Sequence, residues 1–114
     1  MKLSHRDFAD VRVISVTENR IDAACAIQFK DEMRHLTDTG PGRVVLDLGS
    51  VDFLDSSGLG AVVSALKAVR NGQRLELASL NPSVERVFHL TRMDSIFRIY
   101  DTAETAIEGK SDAR

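Results

Sequence analysis

The sequence predicts a single α/β domain: a mixed, largely parallel β-sheet with about four helices. Three observations predict it. From Val44 onward, short apolar runs alternate with segments of helical periodicity, in the order strand–helix–strand–helix–strand–helix. That alternation is the pattern of right-handed crossovers between parallel strands. The length, 114 residues, suits one domain and leaves no room for two ordinary ones. No internal repeat or linker divides the chain. The domain is placed at residues 1–109, and KSDAR, residues 110–114, reads as a flexible C-terminal tail.

The elements follow in order. Residues 2–8 form a weak first strand, with Ala9 and Asp10 at a turn. VRVISVT, residues 11–17, is rich in β-branched residues and reads as a strand. RIDAACAIQFKDEMRHL carries Ala26, Phe29, Met33 and Leu36 at helical spacing. Asp22 is its expected N-cap, since a carboxylate accepts bonds from the first free amides. TDTGPG, residues 37–42, has loop composition. Val44 to Leu48 reads as a strand that Asp47 interrupts near its end.

After DSSGLG, the positions Leu59, Val62, Val63, Leu66 and Val69 make one apolar stripe. Asn71 and Gly72 are the expected stop of that helix, because both tolerate positive φ. RLELAS, residues 74–79, alternates as a strand. Asn81 as N-cap and Pro82 at the first helical position open a helix whose Val84, Val87 and Phe88 face the core. Ile96 to Tyr100 reads as a further strand. Asp101 and Glu104 have the spacing of a capping box for the last helix.

Composition excludes several functions. With 15 basic and 17 acidic side chains, the net charge is −2, which argues against a general nucleic-acid binder. There is no Trp and one Tyr, so stacking platforms for bases are scarce. No apolar run approaches the roughly 18 residues of a membrane span. The N-terminus lacks the apolar core of a signal peptide. These features lead to the expectation of a cytoplasmic protein without direct membrane insertion.

The lone Cys25 has no internal disulfide partner and fits a reducing compartment. His5, His35 and His89 are scattered, so neither a metal site nor a catalytic base is indicated. GxxxxGK[ST] is absent, Val63 stands where the third glycine of GxGxxG would be, and the serines lie in no GxSxG elbow. No cofactor, metal or catalytic residue is expected.

DSSGLG, residues 55–60, carries the chemistry. Asp55 and the serines are strong N-cap residues before a helix. A serine in a helix's first turn also faces solvent, free amides and the positive end of the dipole. A phosphate there would be partly stabilised by its own protein and would add about −1.5 to −2 charges. Spacing alone does not choose between Ser56 and Ser57.

VVLDLGSVDFLDSSGLGAVVSAL, NRIDAACA and LNPSVERVFHLTRMDSIFRIYDTAETAI closely resemble the central, early and late segments of a single-domain STAS protein of the anti-sigma factor antagonist kind. The resemblance covers roughly residues 5–108. It implies that Ser56, directly after the Asp, is the phosphoacceptor and that Ser57 gives local support. It implies a partner-switching regulator, a substrate rather than an enzyme. The dephosphorylated form would bind an anti-sigma factor with GHKL-type serine kinase activity, and phosphorylation would release it. A metal-dependent serine phosphatase would restore the active form.

The implied partner surface comprises Asp22, Asp55, Ser56, Ser57, Gly58, Leu59 and Gly60. Asp22 would contact the kinase or serve only as a cap. Gly58 and Gly60 would admit a partner backbone or serve only packing. Leu59 would be an exposed anchor or the start of the core stripe. Two departures stand out: Asn19 replaces a glycine before the Ile21–Asp22 pair, and TRM replaces TGL after the third helix. An alternative from another class is the STAS subunit of a lipid or anion transport complex, which usually lacks the full serine pair.

Overall fold

The computed structural model describes residues 3–109, so the expected tail at 110–114 lies outside the described residues. Seven strands appear among the described residues: β1 Leu3–Phe8, β2 Val11–Val16, β3 Arg20–Ile21, β4 Arg43–Asp47, β5 Phe53–Leu54, β6 Arg74–Ala78 and β7 Ile99–Tyr100. The helices are α1 Ala26–Asp38, α2 Ser56–Lys67, α3 Pro82–Leu90 and α4 Ala103–Glu108. The main sheet has the order β1-β2-β4-β6-β7. β1 pairs with β2 antiparallel; the other neighbours pair parallel. The expected mixed, largely parallel sheet with four helices is therefore present.

Alternation along the strands sorts side chains onto two faces. Ile14, Val16, Val44, Leu46, Leu75 and Leu77 join the larger core with residues of α1, α2 and α3. Val11, Val13, Val45, Ala78 and Tyr100 face the other way and pack with Ala103 and Ala106 of α4. The serine loop thus belongs to the thicker side of the sheet.

Several boundaries differ from expectation, each for a physical reason. Asp22 does not cap α1. The chain first forms β3, and residues 22–25 turn, so the helix begins at Ala26 with Cys25 at the cap position. α1 then continues through Thr37 and Asp38, because Gln73 and Arg70 supply donors to its last carbonyls. α2 stops at Lys67, and Gly72, at φ +85°, serves the following turn instead. Its fully buried face is Gly58, Ala61, Val62 and Ala65; Leu59, Val63, Leu66 and Val69 pack half-buried along the core's edge.

Val44 to Leu48 shifts to Arg43–Asp47. Of residues 96–100 only Ile99–Tyr100 is strand, since Met93–Ser95 coils into a 3-10 turn and leaves Ile96 exposed. Asn81 occupies the cap position of α3 with Pro82 following, yet its side chain donates instead to the carbonyls of Gly49 and Val51. The capping box of α4 is made by Thr102 and Thr105, one residue beyond the expected Asp101 and Glu104.

Candidate functional site

The small parallel pair β3–β5 builds the site. Arg20 pairs with Phe53 and Ile21 with Leu54, so the next residues along the two strands are Asp22 and Asp55. Two carboxylates distant in sequence are thereby set at the same end of one ladder. Gly58 makes this possible. It is buried, and a Cβ there would overlap the carbonyl oxygen of Ile21 and stand 2.7 Å from its carbon. Only glycine lets the first turn of α2 press directly on the β3 backbone.

Asp55 is extended at φ −91°, ψ −176° and caps α2. Its Oδ1 accepts the Gly58 N–H at 2.8 Å. Its Oδ2 accepts the Ala23 N–H at 3.2 Å, from the turn before α1. Ser56 and Ser57 follow at the first two positions of the helix, and both are exposed. No described residue holds either hydroxyl by a hydrogen bond. Leu59 is half-buried at the core edge, while Gly60 is exposed with open space around it.

Asp22 sits half-buried in its own turn. Its Oδ1 accepts the Ala24 N–H at 3.1 Å, and Arg20 stands 3.5 Å from its Oδ2. The thiol of Cys25 is 3.5 Å from the same carboxylate. Burial first, and then the nearby Asp22 carboxylate, hold that thiol above its ordinary pKa, even though a backbone bond at Asp22 favours the thiolate. Cys25 is therefore poorly suited to nucleophilic chemistry.

The structure brings Asp22, Asp55, Ser56, Ser57, Leu59 and Gly60 to one end of the molecule, with Gly58 buried beneath them. It adds residues that periodicity passed over. Ile27 is 70% exposed in the first turn of α1, and Phe53 is 46% exposed with the Arg20 guanidinium over its ring at 5.5 Å. Ile27 carried a readable signal: it stands out of phase with the Ala26, Phe29, Met33 stripe. Phe53 carried none, because β5 is two residues long.

The arrangement offers an accessible hydroxyl beside helix amides. His5, His35 and His89 are all exposed, and His89 pairs with Asp94 at 3.1 Å. An open cleft of about 460 Å³ lies beside α3, lined by Pro82, Glu85, Arg86, His89 and Asp94, and includes no residue of DSSGLG. Among the described residues, no group of three or more His, Cys, Asp or Glu is placed to hold a metal ion. Among them also, no helix is long and apolar enough to cross a membrane.

Comparison with known proteins agrees with this geometry. The chain is 36% identical over 107 residues to BtrV of Bordetella bronchiseptica, named as a candidate anti-sigma factor antagonist; the match covers 93% of this chain and 91% of that one. A crystal structure of an anti-sigma factor antagonist from Mycobacterium paratuberculosis superposes with a TM-score of 0.85 at 26% identity, covering 97% and 94% of the two chains. A candidate antagonist from Thermotoga maritima gives a TM-score of 0.81 at 32% identity, covering 94% and 92%. The STAS domain model matches residues 5–106. With the sheet order, the paired β3–β5 ladder and this match across nearly its whole length, the chain belongs to the STAS domain family.

Proposed function

We propose that this protein is an anti-sigma factor antagonist that works by partner switching, with Ser56 as the phosphoacceptor. The dephosphorylated form binds an anti-sigma factor that is also a serine kinase with a GHKL-type ATP site. Phosphorylation of Ser56 ends that binding, and a metal-dependent serine phosphatase reverses it. The protein is the substrate of these reactions, works in the cytoplasm and contacts neither nucleic acid nor membrane directly.

One observation carries the reading. Ser56 is an exposed, unengaged hydroxyl on a helix start whose position is fixed by Asp55 and by the glycine contact of Gly58 with Ile21. The relatives named as antagonists supply the class of partner. Ser57 is exposed too, so the choice of Ser56 rests on the family resemblance.

The energetics suffice. A dianion facing an interface built for a neutral hydroxyl costs about 3 kcal/mol through repulsion and desolvation. Each 1.4 kcal/mol is about tenfold in affinity. Roughly a hundredfold loss follows, with no change of fold.

The test mixes the purified protein with the candidate kinase and ATP and maps the phosphate by mass spectrometry. Transfer to Ser56 is expected; transfer to Ser57 alone, or to neither serine, overturns the assignment. Ser56→Ala should keep kinase binding, and Ser56→Asp should weaken it. Equal binding by both would remove Ser56 from the switch.

A further inference from the structure

We infer that Asp55 is a positioning residue that ties the phosphoacceptor turn to the turn before α1, so that a phosphate on Ser56 also releases residues 22–25. The inference rests on the proposed modification of Ser56.

The geometry is that of one carboxylate serving two helices. Oδ1 takes the Gly58 amide of α2 at 2.8 Å, and Oδ2 takes the Ala23 amide at 3.2 Å. Ala23 begins a turn held from its other side by Asp22, whose Oδ1 takes the Ala24 amide at 3.1 Å and whose carbonyl takes the Cys25 amide at 3.1 Å. The two acidic residues thus close the turn from both ends. Among the described residues, Asp55 makes the one hydrogen bond that links that turn's amides to the serine loop.

Phosphorylation changes the balance at Asp55. The γ-phosphoryl group of ATP passes to Ser56 Oγ: a new P–O bond forms, the bond to the β–γ bridging oxygen breaks, ADP leaves and the hydroxyl proton goes to a base. The product carries about −1.5 to −2 charges on the residue next to Asp55. Both anions then compete for the same amides at the start of α2. The phosphate has more charge and three acceptor oxygens, so it is the stronger claimant.

The start of α2 cannot close further on β3, because Gly58 is already against Ile21. The side chain of Asp55 is what moves. As it turns away, the exposed Ala23 amide exchanges a carboxylate for water. The partner then meets a changed charge at Ser56 and, next to it, a loosened turn carrying Asp22, Ala23 and Ala24, three residues before the exposed Ile27.

The test needs no kinase. Phosphoserine is incorporated at position 56 during synthesis, and amide hydrogen exchange is followed by NMR in the full chain. Exchange at Ala23 is expected to rise about three- to tenfold over the serine form, the scale of one lost hydrogen bond. In Asp55→Asn one carboxylate oxygen becomes an amide nitrogen that cannot accept; the remaining oxygen keeps the cap bond to Gly58, as an asparagine N-cap does, and the bond from Ala23 is lost. Ala23 exchange should then be raised already, and phosphoserine should change it less than about twofold.

Unchanged Ala23 exchange on phosphorylation overturns the inference. So does an equal rise in the Asp55→Asn background, since a merely structural Asp55 would leave the effect of the phosphate intact. If Asp55→Asn does not fold, the comparison of serine with phosphoserine in the native chain decides alone. A kinase that ignores Ser56 would defeat the proposed function and leave this result standing.

Discussion

Gly58 and Gly60 stand two residues apart in α2, on nearly opposite faces, and have opposite surroundings. A Cβ at Gly58 meets the Ile21 backbone, whereas at Gly60 it meets nothing within 4 Å. Gly58→Ala must therefore push α2 off β3, and overpacking of this kind against backbone costs about 3 kcal/mol. Gly60→Ala removes backbone freedom from the unfolded chain and should stabilise by about 0.5–1 kcal/mol. Urea denaturation of the two variants checks both signs. If Gly60 admits a partner backbone, one of the two roles the resemblance implies, its alanine variant will also bind the kinase more weakly despite the gain in stability. Arg92 is the complementary case. It holds φ 61°, ψ 18° in the turn after α3, at the middle residue of the TRM that replaces TGL. A left-handed conformation costs a non-glycine residue about 1 kcal/mol, so Arg92→Gly should raise the unfolding free energy by a comparable amount and move the urea midpoint up. A lower midpoint would mean that the Arg92 side chain stabilises this corner by more than the strain it imposes.

At the scale of an element, α1 shows how a helix is held by residues that its own sequence does not contain. Its last carbonyls receive Arg12 at Leu36 (3.0 Å), Arg70 at Thr37 and Asp38 (2.8 and 3.1 Å) and Gln73 at Thr37 (2.8 Å). The two guanidinium groups satisfy orphan acceptors and complement the negative end of the dipole. Arg12 is oriented in turn by Asp7, which accepts from it at 2.7 and 3.0 Å. That hydrogen bond, ahead of the Coulomb attraction of the same guanidinium, holds the Asp7 carboxyl below its ordinary value. The folded value lies below the unfolded one, so the stabilisation is complete above the ordinary aspartate range. It is lost as pH falls through that range toward the folded value. Melting temperature should decline with acid in this window, and Asp7→Asn should flatten that part of the profile. An unaltered profile would show that Arg12 holds α1 without help. None of these supports was legible locally. The apolar stripe of Ala26, Phe29, Met33 and Leu36 announced the helix, but its start moved because β3 claimed Arg20 and Ile21. Its end moved because Gln73 and Arg70 arrive from the far side of α2. Two-residue strands such as β3 and β5 are too short to show any period.

For the molecule as a whole, the alternation after Val44 was enough to indicate a parallel sheet, and DSSGLG was enough to place a serine at a helix start. What the chain could not state is register. The juxtaposition of Asp22 and Asp55 depends on Ile21 facing Leu54, which is a tertiary fact. The same holds for the sheet's thinner side. There a single six-residue helix, α4, covers Val11, Val13, Val45 and Tyr100. Its seat includes a buried ion pair: Arg43 donates to Glu76 at 2.6 and 3.1 Å and to the Ala106 carbonyl at 2.8 Å. Glu76 is 3% exposed, so it can exist there only with this partner. Glu76→Ala leaves the Arg43 guanidinium enclosed without its counter-charge, a loss of about 3–5 kcal/mol. That is a large part of the about 5–15 kcal/mol that holds a domain together. Replacing both residues, Arg43→Met with Glu76→Leu, should recover most of the loss, because an apolar pair needs no desolvation. α2 and Ser56 lie on the other face of the sheet, so the double variant should be phosphorylated at the native rate at temperatures where it is folded. Recovery of stability without recovery of phosphorylation would mean that the thin side of the sheet communicates with the switch, and that the two faces are not energetically separate.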